Sequence, residues 1–89
     1  MISQLAIEHF TPSADKIIWD VRDADNYNNG HILHAINQPL KTLTKDLLDN
    51  TTGDIYVLCG GGTKAVKACD ILEALDPSRT YIHLTGGTR

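Results

Sequence analysis

A cysteine followed by three glycines, Cys59-Gly60-Gly61-Gly62-Thr63-Lys64, is the stretch of this chain best suited to chemistry. It follows Asp54-Ile55-Tyr56-Val57-Leu58, the cleanest strand pattern in the sequence, and a helical pattern begins at Thr63. The thiol therefore stands at the C-terminal end of a buried strand, where open parallel sheets place their sites. Consecutive glycines take left-handed dihedrals without steric cost. The loop can then turn several backbone N–H groups toward one spot, and such a nest attracts anions. The N-terminus of the following helix adds unsatisfied donors and a partial positive charge. Lys64 adds a full charge. Each of these features favours thiolate over thiol. The same cradle suits a persulfide, Cys–S–S⁻, or the oxygens of sulfite and thiosulfate. The competing reading is a buried, inert cysteine ahead of a simple turn. Three glycines in a row weigh against it, because a turn alone rarely needs all three.

Other chemistries fit the same residues poorly. Gly60-Gly61-Gly62-Thr63-Lys64-Ala65 matches the dinucleotide pattern G-x-G-x-x-A, but that motif wants an acidic residue about 20 positions on, at the end of the next strand. The next strand ends at Leu84-Thr85, without one. A phosphate-binding Walker loop needs Gly before its Lys, and Thr63 stands there. His9, His31, His34 and His83 are scattered, and the two cysteines lie ten residues apart with no C-x-x-C, so no metal is expected. Helical rise places Cys69 on the order of 8–10 Å or more beyond the loop, outside disulfide reach, as a core residue. Asp20 and Arg22 follow a strand and read as a structural ion pair rather than a catalytic one. His31, after Gly30, reads as a hydrogen-bonding loop residue, and Trp19 and Tyr27 read as packing residues.

The elements that must hold this loop alternate between short apolar runs and helical patterns, which implies βαβ units and a parallel sheet. Residues 2–7 fit either a strand or a short helix. Residues 16–21 form a strand apolar on both faces, hence central. A helical turn follows over 23–28 with Asp23 as its N-cap, then a short strand over 35–37. A helix over 42–48, capped by Thr42 or Thr44, points Leu43, Leu47 and Leu48 to one side. The helix over 63–75 carries an apolar stripe of Ala65, Val66, Cys69, Ile71, Leu72 and Leu75. Residues 81–84 make the last strand.

Bulk properties set the scale. Eighty-nine residues make one domain, and a chain this short buries only about 60–65% of its unfolded surface. With 42% hydrophobic and 21% charged residues and a net charge of −3, it reads as a soluble globule with no nucleic-acid or anionic-membrane partner. The first ten residues lack the basic start of a signal peptide. Runs such as Ile17-Ile18-Trp19 are too short to span a bilayer. A cytoplasmic location is expected.

Four segments, in order, resemble one family. Asp20-Val21-Arg22 resembles the D-x-R of rhodanese domains. Tyr27 to Pro39 resembles their Y-x-x-G-H-I-x-G-A-x-N-x-P stretch, Cys59 to Lys64 their loop C-x-x-G-x-R, and Leu84-Thr85-Gly86-Gly87 their L-x-G-G. The likeness runs over about residues 15 to 87. It implies a three-layer α/β/α fold around a mostly parallel five-stranded sheet. The implied activity is sulfur transfer, as in a thiosulfate sulfurtransferase, with Cys59 as the sulfur-accepting nucleophile. The backbone of Gly60, Gly61, Gly62, Thr63 and Lys64 is implied as the persulfide cradle. No cofactor is implied. The partners implied are a small-molecule sulfur donor and a nucleophilic acceptor such as cyanide, a small thiol or a protein thiol. A related phosphatase family has a loop one residue longer; six residues from Cys59 to Lys64 suit sulfur instead. The competing function is a non-catalytic binding or regulatory module on the same fold.

The chain departs from the family at three places. Lys64 replaces an Arg and loses its bidentate fork. His34 stands where Gly is usual. The sequence stops at Arg89, where family members continue into a final helix. The last departure leads us to expect an apolar strip of sheet left uncovered and, with it, self-association, for instance as a homodimer, a partner, or reduced stability.

Overall fold

The computed structural model describes residues 1–60 and 63–86. Of the expected cradle, Gly61 and Gly62 lie outside the described residues, as do Gly87, Thr88 and Arg89, on which the expectation about a final helix falls. The elements run in the order β1 (Ile2–Ala6), β2 (Ile17–Asp20), α1 (Ala24–Asn28), β3 (Ile36–Asn37), α2 (Lys45–Asp49), β4 (Ile55–Leu58), α3 (Thr63–Leu75) and β5 (Tyr81–Thr85), with 3-10 turns at Ile7–His9 and Leu40–Thr42. The five strands form one sheet in the order β1-β5-β4-β2-β3. All four pairings are parallel, so the sheet is wholly rather than mostly parallel.

β2, β4 and β5 are the interior strands and carry the β-branched and aromatic runs. On β4, Ile55 and Val57 alternate with Tyr56 and Leu58, and Cys59 continues the first set. Ile55, Val57 and Cys59 pack with Trp19, Val21 and Tyr81 under the α3 residues Ala65, Ala68, Cys69 and Leu72. Leu43 and Leu48 close the same core. The opposite face packs Ile18, Ala35, Leu58 and Leu84 against Tyr27 of α1 and against Ile7, Phe10 and Ile32. There Leu5, Tyr56 and Ile82 stay half-buried.

The segment over 2–7, ambiguous by pattern, is resolved by a distant partner: Ile2 to Ala6 run in register with Tyr81 to Thr85. Thr44, not Thr42, caps α2, its hydroxyl accepting from the Leu47 amide at 3.2 Å. The stripe of α3 differs from its expected form. Val66 and Ile71 are substantially exposed, while Ala68 is buried. The strip of α3 against the sheet, Ala65, Ala68, Cys69 and Leu72, is narrow, and alanine permits close approach where a larger side chain would lift the helix. Arg79 donates to the carbonyls of Leu48, Thr51 and Gly53 at 2.8, 3.1 and 2.7 Å, fixing the entry to β4.

Candidate active site

The site is set by two strands that leave the sheet side by side. β2 and β4 are neighbours in register from Ile17↔Ile55 to Asp20↔Leu58. The Val21 amide still donates to the Leu58 carbonyl at 3.0 Å past the last pair. One exit therefore leads through Arg22 and Asp23 into α1. The other leads through Cys59 toward α3.

Asp20 is fully buried and Arg22 is 8% exposed. The guanidinium donates from Nε to both carboxylate oxygens at 3.0 Å and from Nη2 to Oδ2 at 2.7 Å. The Arg22 amide donates to Oδ1 at 3.0 Å, and Nη2 reaches the Gly30 carbonyl at 2.7 Å. Buried charge is tolerated only when so fully bonded. These bonds to Asp20 raise the Arg22 pKa above its ordinary value, opposed by partial burial; Cys59, when charged, adds a smaller stabilisation. The pair is structural, as its spacing suggested, and its field extends to Cys59.

Sequence reasoning missed how Asn37 joins this exit. Its amide donates to the carbonyls of Asp20 and Arg22 at 3.1 and 2.9 Å, stitching β3 to the turn. His34 shows why its position favours glycine: it holds φ +70, in the left-handed region. Histidine is among the residues that tolerate this region better than most. His31 stacks on Tyr27 with ring centroids 3.7 Å apart, and its Nδ1 lies 3.0 Å from the Tyr27 carbonyl. The Tyr27 hydroxyl donates to the Ala35 carbonyl at 2.6 Å.

At the other exit, Cys59 is only 2% exposed. Its Sγ accepts a hydrogen bond from the Ala65 amide at 3.2 Å. Ala65 is the third residue of α3, so this amide is one of the orphan donors of the first turn. The sequence offers no Ser, Thr, Asp or Asn just before Thr63, and the sulfur takes the capping role. An amide aimed at sulfur stabilises negative charge there. Gly60 adjoins the cysteine, and Thr63 opens α3. Lys64 extends to Asp23, with Nζ 3.2 Å from Oδ1.

Two buried groups lie on the same side of the sheet. Cys69 sits in the α3 core, where burial, with smaller contributions from Asp70, Cys59 and Glu73, pushes its thiol up to about 11. Neither cysteine is in a disulfide. His83 pairs with Val57 across β4 and β5 and is 7% exposed. Its Nε2 is buried with no hydrogen-bond partner among the described residues, and burial lowers its pKa. An interior strand position thus holds an imidazole that burial keeps neutral. Among the described residues no helix is long and apolar enough to cross a membrane.

A family model described as the rhodanese-like domain matches residues 6–89. The chain belongs to the rhodanese-like domain family. Among solved structures, this rhodanese-like domain is similar to a Staphylococcus saprophyticus protein at 19% identity and TM-score 0.75, covering 96% of this chain and 88% of that one. A rhodanese-like domain protein from Staphylococcus aureus gives 23% identity, TM-score 0.75 and coverage of 96% and 86%. Reduced Bacillus anthracis CoADR-RHD gives 28% identity and TM-score 0.67; the match covers 82% of this chain and 13% of that one. An NAD-dependent persulfide reductase from A. fulgidus gives 21% identity and TM-score 0.67, with coverage of 96% and 15%. No curated protein matches the chain.

Proposed function

We propose that this rhodanese-like domain is a sulfurtransferase that carries sulfane sulfur as a persulfide on Cys59. The observation that carries the reading is the Ala65 amide donating to Sγ at the start of α3. It marks the sulfur as the point on which the helix terminus acts. Membership of the family and the likeness to a persulfide reductase support the reaction class.

With thiosulfate as donor, the Cys59 thiolate attacks the sulfane sulfur. The S–S bond of the donor breaks, sulfite leaves with the bonding pair, and Cys59–S–S⁻ remains. A nucleophilic acceptor such as cyanide or a thiolate then takes the terminal sulfur and returns the thiolate. This is covalent, two-step catalysis. The Ala65 amide stabilises charge on sulfur in both steps. The route needs no resident cofactor.

Incubation with thiosulfate is expected to add the mass of one sulfur atom to the Cys59 peptide. The gain is lost with dithiothreitol and absent in Cys59→Ser. A second reading, a binding module with an incidental cysteine, draws on the 2% exposure of Cys59. No adduct at neutral pH with thiosulfate or with a small-thiol persulfide supports that reading instead.

A further inference from the structure

We propose that Asp23 and Lys64 form an electrostatic strap across the mouth of the Cys59 site, which selects against dianionic sulfur donors and favours donors of low charge. The proposal rests on the sulfur-transfer reading above and specifies its donor.

The placement follows from the topology. Because β2 and β4 are neighbours, the residues after Asp20 and after Leu58 emerge together. Asp23 is two residues past Val21, whose amide still bonds Leu58. Lys64 adjoins Ala65, whose amide holds the Cys59 sulfur. The 3.2 Å contact between them therefore ties the β2 exit to the α3 start that holds the thiol.

A second observation concerns Asp23 itself. It is the N-cap of α1, a position where aspartate normally accepts from the backbone. Its side chain makes no such bond. Cap and strap are alternative uses of one carboxylate, and Asp23 takes the strap.

The consequence is a matter of charge. Arg22 is committed to Asp20 and the Gly30 carbonyl. Lys64 is committed to Asp23. Among the described residues, the cations of the two exits, Arg22 and Lys64, are each matched by a carboxylate. A dianion such as thiosulfate must displace Asp23 to gain an attractive field, whereas a neutral or monoanionic donor need not. An ammonium is a compact point charge and lacks the planar fork by which arginine grips an oxyanion bidentately. Thiosulfate remains a donor, but a slow one relative to a small-thiol persulfide.

Alkylation of Cys59 tests the strap without assuming sulfur chemistry. The thiolate displaces iodide from iodoacetate, an anion, or from iodoacetamide, its neutral counterpart, and peptide mass localises the product. Exposed pairs of this kind are worth little, so Asp23→Asn is expected to raise the iodoacetate-to-iodoacetamide rate ratio by roughly two- to fivefold. The gain fades toward 1 M salt, where screening acts within about 3 Å. Asp25→Asn, in the first turn of the same helix, removes equal charge without touching Lys64 and leaves the ratio unchanged. An unchanged ratio in Asp23→Asn, or an equal rise in Asp25→Asn, overturns the strap. The thiosulfate-to-persulfide ratio of sulfur uptake is expected to rise in parallel. If alkylation responds but Cys59 accepts sulfur from neither donor, the sulfur-transfer reading fails and the charge filter stands. If sulfur is accepted and neither ratio moves, the strap alone fails.

Discussion

Two ion pairs stand three residues apart at neighbouring strand exits, and they behave as opposites. Asp20–Arg22 is sealed in protein, with its carboxylate fully bonded by one guanidinium and one amide. Asp23–Lys64 is a single contact with side chains 71% and 43% exposed. The same charges thus serve two ends. The first fixes the β2 exit as a wall against which the site is built. The second is shallow enough to be opened by a competing ion. Burial, not charge type, decides which pair is scaffold and which is adjustable.

The sharpest way to break this contrast is Arg22→Met. It leaves Asp20 buried without its partner, a change that typically costs about 3–5 kcal/mol. A domain of this size has on the order of 5–13 kcal/mol to lose. Urea denaturation is expected to show a large drop in midpoint. Asp20→Asn combined with Arg22→Met should recover part of it, because the stranded charge is gone. A loss below about 1 kcal/mol for Arg22→Met would place both pairs in one class.

The β4 exit offers a middle case. Cys59→Ala removes the acceptor that caps α3 and is expected to cost about 0.5–2 kcal/mol. Cys59→Ser, which keeps an acceptor, should cost less while abolishing sulfur uptake equally. If the two variants are equally stable, the sulfur contributes nothing to the helix start, and the amide contact is incidental.

Much of this arrangement was readable in the sequence, for a physical reason. β4, β5 and β2 are dense in β-branched and aromatic residues, and their identity needs no distant partner. The cysteine and the start of α3 lie in one continuous stretch, so the approach of the helix start to the sulfur was legible. What was not legible depends on residues far apart in the chain. β1 is a strand because Tyr81 to Thr85 lie beside it. Asp23 forgoes its cap because Lys64 lies within reach of it. Arg79 finds its acceptors, the Leu48 and Thr51 carbonyls, about thirty residues earlier in the chain. Val66 belongs to an apolar stripe by period, yet the packing of α3 on the sheet leaves it half-exposed.

His83 tests the same rule with a buried ring nitrogen, Nε2, that has no hydrogen-bond partner among the described residues. Its folded-state pKa is lowered by burial alone. Its strand neighbours are Gln4 on β1 and Val57 on β4, neither of them charged. The unfolded chain therefore binds a proton more readily than the folded one. The stabilising contribution is complete above the unfolded value near 6.5 and is lost as pH falls from there through the lowered folded value. Between pH 7 and 5 wild-type stability should fall more steeply than that of His83→Leu, as read from urea midpoints. Parallel curves would mean that the imidazole accepts its proton in place.

The smallest effect is the most useful for separating structure from chemistry. Asp23→Asn breaks an exposed pair, and such pairs contribute only about 0.2–1 kcal/mol, less in salt. The freed amide side chain can also cap α1, since asparagine ranks with aspartate at that position. The two changes offset, so the urea midpoint is expected to move by less than about 0.5 kcal/mol in either direction. A variant with wild-type stability but an altered ratio of charged to neutral reagents at Cys59 would locate the effect in the field at the site mouth. If Asp23→Asn instead lost as much stability as Arg22→Met, the strap would be scaffold, and the contrast between the two exits would collapse.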